Sequence, residues 1–404
     1  TADAHAKYSA KQHFRLDDHV LIPGLINLHT HAAMSLLRGL ADDLPLMDWL
    51  NNHIWPAEAK FVSPEFVRDG TLLACAEMLR GGVTCFNDMY FFPEAAAQAA
   101  LSVGMRAAIG MIVVDFPTAY AADADDYLSK GLAVRDEFRD EPLLTFTLAP
   151  HAPYTVSDKT FAKVLTYAEQ LDVPIHIHLH ETHDEIGASL KQYQMRPIER
   201  LHRLGLLGPN LIAVHMVQAN TEEIRLLAEH GCHVAHCPSS NLKLASGIGP
   251  MVEKLEHHVN VGLGTDGAAS NNRLDMFAEM RLAALLAKGQ SRNAAALPAH
   301  QALAMATIHA AQALGIDRLT GSLAIGKAAD ITAVDLSAPE TQPCYDVTSH
   351  LVYAAGRENV SHVWVNGKLV LDERHLTTID IHELNARTSF WHEKISNQKS
   401  FSEG

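Results

Sequence analysis

Short apolar segments recur along this chain, and amphipathic segments with a helical spacing separate them. The segments typical of buried strands are residues 25–31, 82–88, 106–114, 143–150, 174–180, 210–216, 232–237 and 259–265. The stretches predicted to be helical between them include 65–80, 94–103, 157–171, 220–230 and 273–287. Strands that alternate with helices form parallel sheets. Eight such units over about 260 residues predict an α/β fold of the (β/α)8 TIM barrel type, with an open doubly wound sheet as the alternative.

The pattern changes after about residue 320. Residues 328–335 and 362–371 are typical of strands, and Asn366-Gly367 predicts a type I′ hairpin turn. We therefore predict a small β-sandwich-like domain appended to the barrel. The predicted units are a barrel over residues 21–320, the small β domain over residues 1–20 and 321–380, and a C-terminal helix and tail over residues 381–404.

Charge and composition restrict the partners of this chain. The formal net charge is −15 at pH 7, which argues against a nucleic-acid partner because phosphate backbones are bound by clustered Lys and Arg. No apolar stretch approaches the roughly 20 residues that span a bilayer, so no membrane partner is expected. The five cysteines form no Cys-x-x-Cys pair. Reduced thiols of this kind fit a soluble cytoplasmic protein.

A His-x-His pair closes the first predicted strand. His29 and His31 follow the apolar run Leu21–Leu28. Side chains two residues apart on a strand point to the same face, so both imidazoles could reach one metal ion. His215 and Asp266 also stand at the ends of apolar runs. In a barrel, functional residues come from the carboxyl ends of several strands.

The fourth and fifth predicted strands add further histidines. His151 closes strand four, and His176, His178 and His180 all lie on one face of strand five. Alternation alone does not decide which of these three binds a metal. Three imidazoles and one carboxylate are a suitable donor set for one zinc ion with an open position.

Other motifs in the chain are weaker. Gly262–Gly267 satisfies the Gly-x-Gly-x-x-Gly pattern of dinucleotide-binding folds, but the helix after it leads to more helix rather than to a parallel strand. We interpret these glycines as accommodating a crowded barrel beside Asp266. The sequence contains no His-Glu-x-x-His motif.

The chain resembles the amidohydrolase superfamily, and most closely its 5′-methylthioadenosine/S-adenosylhomocysteine deaminases. The resemblance covers essentially the whole chain and implies the metal-dependent hydrolase architecture. The segments that carry it are Pro23–His31, Met34–Leu40, Leu148–Tyr154, His176–Thr182, His236–Asn241, Gly264–Gly267 and Gly326–Ile331.

The resemblance implies a metal site with one ion. Its ligands would be His29, His31, His178 and Asp266, since the family's strand-five pattern His-x-x-Glu selects His178. Members with two metals have a modified lysine after strand four, where this chain has none. The expected metal is zinc, with Fe²⁺ and Mn²⁺ as alternatives.

The resemblance also implies catalytic roles for three residues. Glu181 would carry a proton to the substrate, while Asp266 and His215 would accept a proton from the attacking water and orient it. The expected reaction is hydrolytic deamination of an adenine ring, with release of ammonia.

The substrate contacts implied by the family involve further positions. Glu58 would face the ribose hydroxyls and His151 would contact the substrate, as would Glu181 and Asp266. Trp49 and Arg106 are also expected to line the pocket. The resemblance therefore implies a small nucleoside substrate, namely 5′-methylthioadenosine, S-adenosylhomocysteine or both.

Several alternatives stay open at this stage. The chain could be a related deaminase or hydrolase acting on adenosine, guanine or a triazine, or a barrel without catalysis that serves binding or assembly. The family implies a homodimer or homotetramer. Family members usually have about 40 more residues before His-x-His, so we expect that an N-terminal segment and part of the small β domain are missing.

Overall fold

A parallel sheet of eight strands forms the centre of the molecule. The computed structural model describes residues 7, 9–10 and 12–399. The strands of this sheet follow one another in chain order: β2 (Leu25–Thr30), β3 (Val83–Tyr90), β4 (Arg106–Val113), β5 (Leu144–Pro150), β6 (Ile175–Leu179), β7 (Leu211–His215), β8 (His233–His236) and β9 (Asn260–Leu263). Each pairs in parallel with the next. The predicted (β/α)8 barrel is confirmed.

Helices connect the strands and surround them. In chain order they are α1 (Leu46–Trp49), α2 (Trp55–Phe61), α3 (Pro64–Arg80), α4 (Pro93–Val103), α5 (Ala124–Phe138), α6 (Asp158–Leu171), α7 (His183–Tyr193), α8 (Pro197–Arg203), α9 (Thr221–Glu229), α10 (Pro238–Lys243), α11 (Met251–Glu256), α12 (Ala268–Asn271), α13 (Met276–Ser291), α14 (Ala299–Met305), α15 (Ile308–Ala313), α16 (Val347–Tyr353) and α17 (Ile381–Lys399). A π-helical turn, Leu50–Ile54, joins α1 to α2. Short 3-10 turns cover Ala32–Leu37, Pro339–Thr341 and Arg357–Asn359.

Local sequence explains where the long helix α3 begins and ends. The Ser63 hydroxyl accepts a hydrogen bond from the Phe66 amide at 3.2 Å, and Pro64 occupies the first turn, where no amide hydrogen is needed. Gly81 follows the last helical residue, and Gly82 adopts a φ of +80° that suits glycine. The chain then enters β3 directly.

The first and last strands of the barrel meet through side chains. Asn27 on β2 donates from Nδ2 to the Thr265 hydroxyl at 2.7 Å, and the Thr265 amide donates back to Asn27 Oδ1 at 2.9 Å. The Asp266 amide donates to the His29 carbonyl at 2.9 Å. These bonds bring the residues after β9 beside the end of β2.

An antiparallel sheet forms the appended domain. Its strands are β1 (His19–Pro23), β10 (Ile331–Asp335), β11 (Val360–Val365), β12 (Lys368–Asp372) and β13 (His375–Leu376), which pair in that order. The predicted hairpin turn lies between β11 and β12, where Asn366 and Gly367 have φ values of +49° and +76°. The unit boundaries predicted at residues 20, 320 and 380 stay predictions, and residues 1–6, 8, 11 and 400–404 lie outside the described residues.

Arg106 connects the barrel to the appended sheet. It is the first residue of β4 and therefore lies at the amino end of the barrel, far from the carboxyl ends of the strands. Its guanidinium is buried and donates to both carboxylate oxygens of Asp330, at 2.9 and 3.3 Å, and to the Pro142 carbonyl at 3.0 Å. The expectation that Arg106 lines the pocket is wrong, because the strand direction places it at the opposite end.

The C-terminal helix α17 packs against α3. Trp391 is fully buried, and its indole donates to Asp69 at 3.0 Å, while Arg387 pairs with the same carboxylate at 2.9 Å. In the part of the chain that the structure describes, no helix combines the length and the apolar character needed to cross a membrane.

Candidate metal centre and active site

A deep cavity opens at the carboxyl ends of the barrel strands. Its volume is about 630 Å³, within the usual range for a site that holds a small molecule. The predicted residues that line it are His31, Trp49, Glu58, His151, His178, Glu181, His215 and Asp266. The structure thus brings together residues from five strands and from α1 and α2 in one place.

Three imidazoles and one carboxylate converge at the closed end of this cavity. Nε2 of His29 and Nε2 of His31 each lie 3.3 Å from Asp266 Oδ1. Nε2 of His178 lies 3.3 Å from Nε2 of His29. His29 is fully buried because it stands inside the barrel at the end of β2.

Backbone groups determine how two of these imidazoles are oriented. Nδ1 of His31 donates to the Met89 carbonyl at 2.6 Å, and Nδ1 of His178 donates to the His151 carbonyl at 2.8 Å. A carbonyl only accepts hydrogen bonds, so the hydrogen is on Nδ1 and the lone pair of Nε2 faces the cluster. Such contacts to the second ring nitrogen orient metal-binding histidines.

The donor set fits a tetrahedral metal ion. Ligand atoms about 2.0–2.1 Å from a central zinc ion lie about 3.3–3.4 Å from one another at the corners of a tetrahedron. The measured separations of 3.3 Å match that edge length. Without a cation between them, imidazole lone pairs and a carboxylate at this spacing would repel one another.

Burial keeps the cluster in the protonation state that a cation requires. It lowers the pKa of His29 to about 4 and that of His178 well below its usual value. Burial alone would raise the pKa of Asp266, but the neighbouring His29 imidazole, with His31 and His215, holds it well below its usual value. At neutral pH the imidazoles of His29 and His178 are therefore uncharged and the Asp266 carboxylate is ionised.

The structure separates His176 and His178 on β6 from His180, which follows the strand. Only His178 presents a ring nitrogen to the cluster from the cavity side. His176 lies deeper in the barrel, where its Nε2 meets Nδ1 of His29 at 2.9 Å. His180 has a φ of +55°, so it turns away and accepts a hydrogen bond from the Ile198 amide at 3.0 Å.

Glu181 and His215 face each other beside the cluster. Glu181 Oε2 lies 3.8 Å from His215 Nε2. His215 donates from Nδ1 to Asn241 Oδ1 at 2.8 Å, which leaves Nε2 directed into the cavity. Burial raises the pKa of Glu181, although the nearby His215 opposes the shift. A carboxyl group with a raised pKa is suited to carry a proton at neutral pH.

Glu58 lies in the cavity wall on α2. Its carboxylate accepts a hydrogen bond from the Tyr90 hydroxyl at 2.7 Å. Burial raises the pKa of Glu58 to about 7, although the Tyr90 hydrogen bond acts in the opposite direction. Among the described residues, Glu58 forms no salt bridge with a cation. When ionised, its carboxylate is therefore available as a strong hydrogen-bond acceptor for a bound molecule.

His151 and Trp49 complete the predicted part of the wall. Nδ1 of His151 lies 3.0 Å from the Thr155 hydroxyl, and burial lowers the pKa of this histidine to about 3. The uncharged ring therefore serves as a hydrogen-bonding group. The indole of Trp49 donates to the Ala41 carbonyl at 3.1 Å, which holds its ring against the cavity.

Several residues that shape the site were not predicted from the sequence. Tyr90 ends β3 and could have been found from its place at a strand end. Asn241 lies in a segment used for the resemblance but received no role. Glu185 accepts hydrogen bonds from the amides of His180 and Glu181, at 3.0 and 2.7 Å, so it holds the turn that presents Glu181.

The glycines beside Asp266 allow close packing, as interpreted from the sequence. A Cβ at Gly264 would come within 2.8–3.0 Å of His29 atoms, and a Cβ at Gly262 within 2.6 Å of Leu28. A side chain at Gly264 would push the backbone of β2 away and move His29 out of the cluster, whereas the Leu28 side chain could move aside at Gly262.

Comparisons with known proteins agree with this geometry. Relatives named 5-methylthioadenosine/S-adenosylhomocysteine deaminase occur in Saccharophagus degradans, 49% identical over 99% of this chain and 90% of the relative, and in Teredinibacter turnerae, 50% identical over 98% and 89%. A crystal structure of an adenosine deaminase from Xanthomonas campestris with bound zinc superposes with a TM-score of 0.97, at 50% identity over 98% of this chain and 90% of that one. The profile of the amidohydrolase family matches residues 20–370. The chain therefore belongs to the amidohydrolase family.

Proposed function

We propose that this protein is a zinc-dependent enzyme that hydrolytically deaminates the adenine ring of 5′-methylthioadenosine or S-adenosylhomocysteine. The observation that carries the proposal is the convergence of a metal-binding cluster with Glu181 and His215 at the end of a cavity of nucleoside size. The names of the relatives agree with this activity, and the zinc-bound neighbour agrees with the metal.

His29, His31, His178 and Asp266 would hold the metal. The chemistry that zinc supplies in such a site is to make water acidic enough to act as a nucleophile near neutral pH. Asp266 Oδ1 is the carboxylate oxygen that faces His29 and His31. Its other oxygen, Oδ2, accepts a hydrogen bond from the Ser240 hydroxyl at 2.6 Å.

The reaction requires proton transfers at the attacking water, at N1, at the leaving amino group and at the new C6 hydroxyl, and residues of the site can carry them. Nε2 of His215 and the Asp266 carboxylate accept a proton from the attacking water and direct its oxygen to C6. Glu181 delivers a proton to N1 of the ring, so that negative charge does not accumulate there as the C6–O bond forms. Nε2 of His215 then returns the proton taken from the water to the amino group, and the C6–N bond breaks to release ammonia. The C6 hydroxyl loses its proton to Glu181 as the C6 carbonyl forms, so the ring becomes hypoxanthine and Glu181 regains its proton.

Glu58 and His151 would position the substrate. A carboxylate accepts hydrogen bonds from two adjacent hydroxyl groups, which is the arrangement that a ribose offers. Tyr90 holds the carboxylate in place from the other side. The uncharged His151 ring lies beside His178, with the two ring centroids 4.9 Å apart. In this position it would contact the purine.

Two further properties belong to the proposal. We infer a homo-oligomer, a dimer or a tetramer, as the family resemblance implies. We also infer a cytoplasmic location, for which the support is that the five cysteines are free and four of them are buried.

An absorbance assay tests the proposed function. Zinc-loaded protein is incubated with 5′-methylthioadenosine, S-adenosylhomocysteine, adenosine and guanine, and the ultraviolet spectrum and ammonia release are followed. We expect conversion of at least one of the two thio-nucleosides to its inosine form, faster than adenosine is converted. No change in any of the four, with metal bound, would contradict the proposal.

A further inference from the structure

The charges of the cavity are confined to one end. The ionisable groups that line it are those of the cluster and its neighbours, together with Glu58. Among the described residues that line the cavity, none is a lysine or an arginine. The remaining wall and the rim consist mostly of apolar side chains, including Leu46, Leu50 and Phe116.

The rim, which is the open end of the cavity, is where the 5′ substituent of a bound nucleoside would lie. C6 and the 5′ carbon lie at opposite ends of an adenosine molecule. With C6 at the cluster and the ribose at Glu58, the 5′ substituent must extend toward the open end of the cavity. That end is formed by the π-helical turn at Leu50–Ile54 and by the loop after β4, where Phe116 and Ala119 are exposed.

We infer that this enzyme prefers adenosine nucleosides with a small uncharged 5′ substituent and discriminates against a zwitterionic amino-acid tail. The inference rests on the proposed deamination and names which of its two substrates is preferred. A methylthio group is apolar and would pack against Leu46, Leu50 and Phe116. The tail of S-adenosylhomocysteine ends in a carboxylate and an ammonium, and the carboxylate would find no cation in this wall.

Two basic residues near this end of the barrel are already paired. Lys130, on the helix that follows the β4 loop, donates to Asp126 at 2.9 Å and to the Tyr120 carbonyl at 2.7 Å. Lys243 pairs with Asp42 at 2.6 Å. A carboxylate placed against this apolar wall would find no cationic partner among the described residues that line the cavity.

Three substrates separate the effect of charge from that of length. They are 5′-methylthioadenosine, which is short and neutral, 5′-butylthioadenosine, which is long and neutral, and S-adenosylhomocysteine, which is long and charged. We expect kcat/KM for the two neutral compounds to agree within about threefold and to exceed that for S-adenosylhomocysteine by at least about 10-fold.

Each other outcome of this assay is informative. A kcat/KM for S-adenosylhomocysteine equal to or above that of the neutral compounds would overturn the inference while leaving the deaminase function intact. A butylthio compound as poor as S-adenosylhomocysteine would also overturn it, since length rather than charge would then decide. Conversion of none of the three would contradict the deaminase function itself.

A pair of variants at Ala119 tests the assignment of the rim. Ala119→Arg places a cation on an exposed loop position that lines the cavity, and Ala119→Gln places a neutral side chain there. We expect the arginine variant to raise the ratio of kcat/KM for S-adenosylhomocysteine over 5′-methylthioadenosine by about fivefold or more relative to the glutamine variant. Equal ratios in both variants would overturn the placement of the 5′ tail at this loop.

Discussion

Both ends of the barrel contain buried polar and charged side chains, but the two ends differ in how these groups are paired. At the amino end, the Arg106 guanidinium and the Asp330 carboxylate satisfy each other, and Asp330 also accepts from the Asn366 amide at 2.7 Å. At the carboxyl end, like groups face one another, and buried atoms such as His176 Nδ1 and Asn241 Nδ2 have no hydrogen-bond partner. One end is arranged for stability and the other for a ligand.

Unusual backbone conformations occur at both ends of the barrel, since Asp172 before β6 and His258 before β9 also have positive φ angles. Positive φ angles occur in non-glycine residues after the strands that carry the site, with +74° at His215, +46° at Met216 and +63° at Asp266. Such conformations cost roughly 1–3 kcal/mol each and persist where the surroundings enforce them. The strained residues of the catalytic end lower the stability of the fold, and the amino end and the packed core offset this loss.

The largest effect is expected from Glu181→Gln at the carboxyl end. The variant keeps the size of the side chain but removes the carboxyl proton, so turnover should fall by roughly 10²–10⁴-fold. Zinc content, measured by metal analysis, should stay at the wild-type level because Glu181 is outside the proposed ligand set. The exposed Glu199→Gln is the control. Normal turnover with metal retained would exclude Glu181 as the proton carrier.

The next effect concerns Asp330→Ala at the amino end. This substitution leaves the buried Arg106 guanidinium without its carboxylate, which should lower the free energy of unfolding by roughly 3–5 kcal/mol. Denaturant unfolding measures the change, while zinc content of the folded protein should stay the same. Glu222→Ala removes the partner of Arg225 in an exposed pair and should cost less than about 1 kcal/mol. Equal effects of the two substitutions would remove the contrast between buried and exposed pairs.

A smaller effect is expected for Glu58→Gln. The amide accepts hydrogen bonds less strongly than a carboxylate, so kcat/KM for 5′-methylthioadenosine should fall by roughly 10–100-fold. The fall should be much smaller for an analogue that lacks both ribose hydroxyls. A loss of the same size with both substrates would show that Glu58 does not contact the ribose.

The smallest effect involves Lys254, a buried cation at the carboxyl end. Its ammonium donates to the Met216 carbonyl at 2.7 Å, and burial lowers its pKa to about 7. Between about pH 7 and pH 10 the unfolded chain therefore binds more protons than the folded one, and stability rises with pH by up to about 1.4 kcal/mol per unit. Relative to Lys254→Met, wild-type stability in urea should rise from pH 7 to pH 8.5. A constant difference would indicate that Lys254 is not buried as a titrating group.

Much of the fold was predictable because the barrel strands are apolar on both faces. The predicted strand limits at 106–114 and 143–150 differ from the observed β4 and β5 by at most one residue. The direction of each strand also places the residues at its end, which is why His29, His151 and His215 were expected together. The same rule was not applied to Arg106, which begins its strand and lies at the other end.

Other features of the site depend on tertiary structure, which the local sequence pattern does not determine. Alternation places His176, His178 and His180 on one face, and only depth in the barrel and the turn at His180 separate them. The bond from His215 to Asn241 joins the end of β7 to α10, and no local pattern indicates it. The catalytic roles and the ligand set stay predictions until the variants above are measured.

The contact between the first and last barrel strands has a consequence for biosynthesis. Thr30 Oγ1 donates to the Asp266 carbonyl across 236 residues of chain, so the proposed ligands from β2 and the one after β9 cannot meet until synthesis has passed Asp266. A ribosome-bound chain that ends before Asp266 holds only histidines, without the carboxylate. Tight capture of the metal should therefore mark the moment at which the ring of strands has closed.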